Sequence, residues 1–277
     1  MRFACRLMIP FLLASVVACG PGSFREAEFE KTLAVTNDRV NLSVETAAGG
    51  ITVRSGSDSS VHIRARIRAR ESFLGGGSAD EKVRKIKENP PIQQQGNTIR
   101  ITRPTDTDLR ENVSIQYDIT VPAQTQLTAT SGAGNANISG LALPVEATTG
   151  AGAITAEDLA GDVRLHTGAG AVNAKSIGGA LEIESGAGSI RAQGVPKHDW
   201  RIKAGAGSIR LEIPADASFD LDAQSGFGRV SVSDSLGLKD GSVSNSRVRG
   251  KVGNGGPMVE ISNGAGSIDV SRGAGPS

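Results

Sequence analysis

The sequence predicts an all-β protein: a β-solenoid of coils of about 18 residues, with an N-terminal β-rich cap that contains one short helix. Three observations predict it. A Gly-x-Gly corner recurs, as in Ser185-Gly186-Ala187-Gly188-Ser189-Ile190. Its first glycine falls at 132, 150, 168, 186, 205, 226 and 264, so the steps are 18, 18, 18, 19, 21 and 38. A near-constant step of this size marks stacked repeats, and the last step is about two periods. Apolar positions also recur in register: Leu159, Val163, Leu165, Val172 and Ala174 of one unit match Ile177, Leu181, Ile183, Ile190 and Ala192 of the next. Finally, aromatics are only 3% of the chain and Gly reaches 36 residues, about twice the ordinary usage. That composition suits a thin core of Val, Ile, Leu and Ala, renewed at every coil.

The bulk charge excludes some partners. With 30 basic and 29 acidic residues the net charge is +1, so no global field argues for nucleic acid.

The first residues read as an export signal. Arg2 and Arg6 form a basic start, and residues 7–17 are apolar. The stretch ends in Val16-Val17-Ala18-Cys19-Gly20, which resembles the lipobox of bacterial lipoproteins. The resemblance implies cleavage after residue 18 and acylation of Cys19. Cys5 leaves with the signal, so Cys19 then has no disulfide partner. Two or three acyl chains would anchor it stably where one would not. Gly20, in place of Asp, favours the outer membrane if the host is Gram-negative. No other stretch is long and apolar enough to span a bilayer as a helix.

Residues 19–30 read as a polar tether and residues 31–125 as the β-rich cap. Val40-Asn41-Leu42-Ser43-Val44 alternates, and Gly49-Gly50 turns into Ile51-Thr52-Val53. In residues 61–70, period 2 places Val61, Ile63, Ala65, Ile67 and Ala69 on one face. His62, Arg64, Arg66, Arg68 and Arg70 take the other. Ser78 precedes Glu81 by three residues, a capping box for a short helix ended by Asn89-Pro90-Pro91. Strands are expected at 98–103 and 113–121.

Residues 126–235 hold the solenoid repeats. Each unit has two short alternating strands joined by turns. One unit cannot bury its own strand faces; stacked units can. Residues 236–257 read as an irregular loop or coil, and 258–277 as a terminal coil and tail. Stacked corners should crowd, so Ala187→Trp is expected to force coils apart.

The early strand pairs, the helix before Gly96-Asn97-Thr98-Ile99, the strand ending in Val121-Pro122 and the Gly-x-Gly-x-aliphatic repeats resemble the DUF4097 family over about residues 31–270. That family comprises bacterial β-strand-repeat proteins described as adhesin-like. Many relatives carry Gly-Asp-Ile where this chain has Gly-Ala-Gly, so the match is of pattern. The resemblance supplies no catalytic residues.

Motifs for chemistry are sparse. The Gly-x-Gly corners open no helix and lack Gly-Lys-Ser/Thr, which argues against nucleotide binding. No Asp recurs at the turns as a calcium roll requires. His62, His166 and His198 fit no metal-ligand spacing. The column Glu146, Arg164, Glu182, Arg201 alternates in sign, as does part of Thr148, His166, Glu184, Lys203. Both read as cross-strand ladders that fix register. The candidate anion-binding residues are Arg64, Arg66, Arg68 and Arg70, whose bland alternative is a solvated face covered by Glu71, Asp80 or Glu81.

The expected protein is thus a non-enzymatic cell-envelope lipoprotein, held to the membrane by an acyl anchor on Cys19, with a structural or adhesin-like role through its sheet faces. It is expected to need no cofactor, no metal and no nucleic-acid partner. The alternative is an envelope sensor or binding module whose Arg stripe takes an anionic glycan or lipid. A carbohydrate-active enzyme on a β-solenoid comes third, and would need a carboxylate cluster.

Overall fold

The computed structural model describes residues 24–36, 39–71, 78–109 and 111–273. The export signal and Cys19 lie outside the described residues. Two sheets face one another, of 11 and 12 strands. Each rung gives one strand to each sheet, and a Gly-rich corner joins the two. Successive rungs pair in parallel, as Val145–Ala151 does with Val163–Ala169, and Ile154–Leu159 with Val172–Ile177. The fold is a β-solenoid with an N-terminal region that carries its one described α-helix, Ala79–Glu88. Ser78 caps that helix by accepting from the Glu81 amide, as the sequence predicts.

The core is the strip between the sheets. Val145, Ala147, Val163, Leu165, Leu181 and Ile183 come from one sheet. Ile154, Ala156, Val172, Ala174, Ile190 and Ala192 come from the other, and all are buried. The predicted apolar register is the observed one.

The corners carry a polar row that faces inward. Thr149 Oγ1 donates to the Gly134 carbonyl at 3.0 Å, and Thr167 Oγ1 to that of Gly152 at 3.2 Å. Each hydroxyl thus satisfies a carbonyl of the rung before it, which a buried carbonyl needs. The glycines, not the alanines between them, are the crowded residues. A Cβ on Gly186 would overlap the Gly168 carbonyl, and Gly188 sits at φ +141° against the Gly170 carbonyl. Only Gly takes such a position without strain. Ala187 is exposed. The residue at its level in the outermost rung is Phe227, 84% exposed. The expected clash of Ala187→Trp is therefore corrected: the side chain leaves the stack, and the crowding falls on its neighbours.

The ends of the stack do not follow chain order. The strands Val40–Ala48 and Ile51–Gly56 already form a rung, with its own corner at Thr46-Ala47-Ala48-Gly49. Thr98–Ile101 and Val113–Pro122 pair in parallel on its outer side, although they come later in the chain. The rung at 40–56 is thus enclosed between later ones. The same occurs at the other end. Met258–Ala265 lies between Trp200–Ala206 and Phe219–Phe227, and Ile268–Arg272 lies between Ile209–Ile213 and Val230–Val232. The step of 38 residues is therefore not two successive coils. The chain passes over one rung position, builds the outermost rung, then returns through the hairpin Lys239–Val243 and Arg247–Val252 to fill the gap.

Beyond the rung at the N-terminal end lie the antiparallel strands Ser60–Arg70 and Phe24–Ala34. From Phe24 onward, the segment that reads as a tether is thus an edge strand paired along its whole length.

Candidate functional site

Two surfaces gather polar chemistry. The first is the Arg stripe. Antiparallel register sets Glu30, Glu28 and Glu26 opposite Arg64, Arg66 and Arg68. Arg64 Nη2 lies 2.7 Å from Glu30 Oε1, Arg66 Nε 2.8 Å from Glu28 Oε1, and Arg68 pairs with Glu26. The guanidinium of Arg70 sits 4.8 Å above the Phe24 ring. On the other flank, Asp118 stands beside Arg64. The hydrogen bond and charge of Arg66 hold the Glu28 carboxyl below its usual range. From Arg64 to Arg68 the stripe is therefore an exposed ion-pair ladder, and Arg70 closes it against an aromatic ring.

The partners expected from sequence are elsewhere. Glu71 accepts from the Ala79 amide, Asp80 pairs with Arg25, and Glu81 pairs with Lys85. The signal for the true partners was present. Glu26, Glu28 and Glu30 alternate with Ala27 and Phe29, the same period-2 pattern as the Arg strand with the opposite sign.

The second surface is a groove of about 510 Å³ along the 12-stranded sheet. One wall is the row of turns at Pro144, Asp162, Ala180 and Asp199. The other is the outward column Thr128, Glu146, Arg164, Glu182, Arg201 and Glu260, one residue from each of six rungs. The predicted column is thus observed, and the C-terminal rung extends it by Glu260. Arg164 Nε donates to Glu182 Oε2 at 2.8 Å, and Arg201 Nε to Glu260 Oε2 at 3.1 Å. The Arg164 hydrogen bond holds the Glu182 carboxyl below its usual range, against the smaller opposing effect of burial. The turn wall is braced as well. Asp162 Oδ1 accepts from the Ala180 amide and Asp199 Oδ1 from the Met258 amide, both at 2.9 Å. These aspartates each reach a spatially adjacent rung, and for Asp199 that rung is far ahead in the chain. Sequence reading could not assign that role without knowing the stacking order.

The adjacent column brings His166 Nδ1 to 3.6 Å from Glu184 and Lys203 Nζ to 3.8 Å from the same carboxylate. His62 lies in the other sheet, its Nε2 2.9 Å from Ser60 Oγ and its Nδ1 3.1 Å from Thr32 Oγ1. His198 is an exposed loop residue. Among the described residues no group of three His, Cys, Asp or Glu is placed to hold a metal ion, and no helix is long and apolar enough to cross a membrane.

No curated protein matches the chain. Among solved structures, a candidate cell adhesion protein from Clostridium sporogenes aligns over 90% of this chain and 100% of its own, at 13% identity and a TM-score of 0.39. A candidate adhesin from Bacteroides fragilis aligns over 89% and 97%, at 13% identity and a TM-score of 0.36. A candidate lipid binding protein from Parabacteroides distasonis aligns over 92% and 96%, at 10% identity and a TM-score of 0.25. Residues 31–271 match the family described as Toastrack DUF4097, and the chain, with its stacked Gly-cornered rungs, belongs to that family.

Proposed function

We propose that the chain is a non-enzymatic, adhesin-like binding module of the cell envelope, anchored through Cys19, whose binding surface is the groove across the rungs. The observation that carries this is the groove's periodicity. The outward column recurs over six rungs beside a repeating row of turns, and within the column each arginine is paired with a glutamate, Arg164 with Glu182 and Arg201 with Glu260. Such a surface suits an extended, polar, repeating chain such as a glycan, which it meets through many weak contacts and not one deep pocket. The Arg stripe gives less support, because in-register glutamates occupy the guanidinium groups of Arg64, Arg66 and Arg68 and the Phe24 ring lies against that of Arg70.

The test is binding of the full chain to isolated cell-wall polysaccharide. Thr128→Trp places bulk at an exposed position in the groove and should weaken binding at least several-fold. Replacing Arg64, Arg66 and Arg68 by Gln should leave it unchanged. The opposite pattern would transfer the site to the stripe. For the anchor, Cys19→Ser should release the protein from the membrane fraction or leave the signal uncleaved. Equal partitioning and processing of mutant and wild type would remove the anchor.

A further inference from the structure

The rung at 258–272 is paired on both sides in both sheets. During synthesis the rungs at 200–213 and 219–232 exist before residues 258–272 emerge, so the position between them stands open until that segment arrives. The open position has a specific complement. Asn263 Nδ2 donates to the Gly207 carbonyl at 2.9 Å, the Met258 amide donates to Asp199, and Glu260 accepts from Arg201. Other rungs of this chain share the corner shape but place Thr, Ser or Ala where Asn263 stands. The segment that satisfies all three contacts is therefore this chain's own C-terminal rung.

The hinge into that rung is short and exposed. It reads Gly253-Asn254-Gly255-Gly256-Pro257, with Gly253 at φ +63° and Gly255 at φ +76°. Three bonds brace it: the Asn254 amide to Ser218 Oγ at 3.2 Å, the Gly255 amide to the Val252 carbonyl at 3.1 Å, and the Asp220 amide to the Pro257 carbonyl at 3.0 Å. An extended stretch of five residues spans about 17 Å, enough to leave one stack and enter a neighbouring one. A late-arriving element on such a hinge, entering a site that awaits it, is the arrangement from which domain swapping arises.

We infer that the C-terminal rung is exchangeable: residues 258–272 of one copy fill the position between residues 200–213 and 219–232 of a second copy, giving a reciprocal dimer. The strand pairings and side-chain contacts of residues 258–272 are kept, made between copies, and only the bonds of the hinge are given up. The interface is the interior of the stack, and the partner is a second copy of this chain.

Lys203 and Ser262 are facing partners across the strand pair that would become intermolecular. Facing positions on neighbouring strands lie about 4.8 Å apart, within disulfide range. Two differently tagged full chains, one with Lys203→Cys and the other with Ser262→Cys, are produced together with Cys5 and Cys19 changed to Ser in both. Exchange predicts a covalent dimer carrying both tags. Deleting Gly255 and Gly256 shortens the hinge and should raise the dimer fraction several-fold, because a strained hinge favours exchange. A chain carrying both cysteines reports the closed form as an internal disulfide. If that internal bond forms while the mixed chains never cross-link, the inference is overturned. It is equally overturned if the internal bond does not form and the hinge-deleted chain stays monomeric at every concentration.

Discussion

The two ends of the stack solve the same problem with different materials. At each end the outermost rung is not the terminal one in sequence, and a rung from nearer the chain end lies enclosed beneath it. At the N-terminal end the enclosed rung, 40–56, is followed by further rungs and covered by the strands Ser60–Arg70 and Phe24–Ala34, each of 11 residues. At the C-terminal end the enclosed rung is 258–272, and beyond the rung that covers it the 12-stranded sheet ends in the hairpin Lys239–Val243 and Arg247–Val252, of five and six residues. Edge strands invite pairing with other chains unless they are short or charged. In the 11-stranded sheet the N-terminal edge is the long Phe24–Ala34 with its Glu–Arg ladder, and the C-terminal edge is the short Val230–Val232. In the 12-stranded sheet both edges are short, Ile92–Gln95 and Lys239–Val243. The comparison teaches that the first end is closed by extensive pairing and the second by the late arrival of one segment.

The sharpest way to break the comparison is Gly266→Val. Gly266 lies at φ +125°, and its Cβ would overlap the Gly207 carbonyl. Overpacking of about 1–3 kcal/mol adds to backbone strain of about 1–3 kcal/mol. Hydrogen exchange should show lost protection over residues 219–272 and little change over residues 40–122. Uniform loss along the stack would mean the ends are coupled.

Asp222→Asn comes next. Burial opposes ionisation of this carboxyl, yet hydrogen bonds and charge from Arg247 and Arg249 hold it below the usual aspartate range. Because the folded value is depressed, its stabilisation is complete above the unfolded value of about 3.9. It is lost as pH falls through the folded one. The substitution should cost about 1.5–3 kcal/mol, the range for hydrogen bonds to a charged group, and should flatten the acid dependence of melting at this end. Unchanged acid sensitivity would place that sensitivity in other carboxylates.

Replacing Arg64, Arg66 and Arg68 together by Gln should have a smaller effect, because exposed pairs contribute little. The melting temperature should fall by a few degrees at low salt and less at high salt. A salt-independent fall would point to packing of the Arg stems. Smallest of all, Ala187→Trp should change stability by less than about 0.5 kcal/mol, as surface substitutions do. A large loss would mean the corner faces a neighbour.

The middle of the stack was legible because it is periodic. Val163, Leu165, Val172 and Ala174 repeat the chemistry of the units beside them, and period plus alternation fixes both face and register. The charge column was legible for the same reason, since equal steps make Glu146, Arg164 and Glu182 neighbours. The ends were not. A parallel rung with Ala-Ala-Gly-Gly at its corner lacks the Gly-x-Gly marker, so residues 40–56 read as part of a cap. Stacking order is a long-range property that no local spacing records, so the place of residues 258–272 could not be read from a step of 38. The Glu partners of the Arg stripe were visible as alternation but lay in a stretch whose polarity suggested a tether. At the corners, the Gly-Ala-Gly spelling alone does not show which residue is crowded. Alternation places Ala187 outward, and the crowding belongs to the backbone carbonyls that Gly186 and Gly188 approach.

Enclosing a rung at each end also governs how such a protein can change length. An extra unit appended after residue 272 would find no free sheet edge to extend, because the rung that ends there already has neighbours on both sides. A unit inserted before residue 40 meets the same obstacle. The interior has no such limit. Between residues 145 and 193 the rungs are interchangeable in step, corner and register. Duplication of an 18-residue unit there would lengthen the groove by one strand spacing and leave both closures intact. Members of this architecture should therefore differ in rung number at the centre and agree at the ends, so that the reach of the grooved face can vary while its terminations are inherited whole.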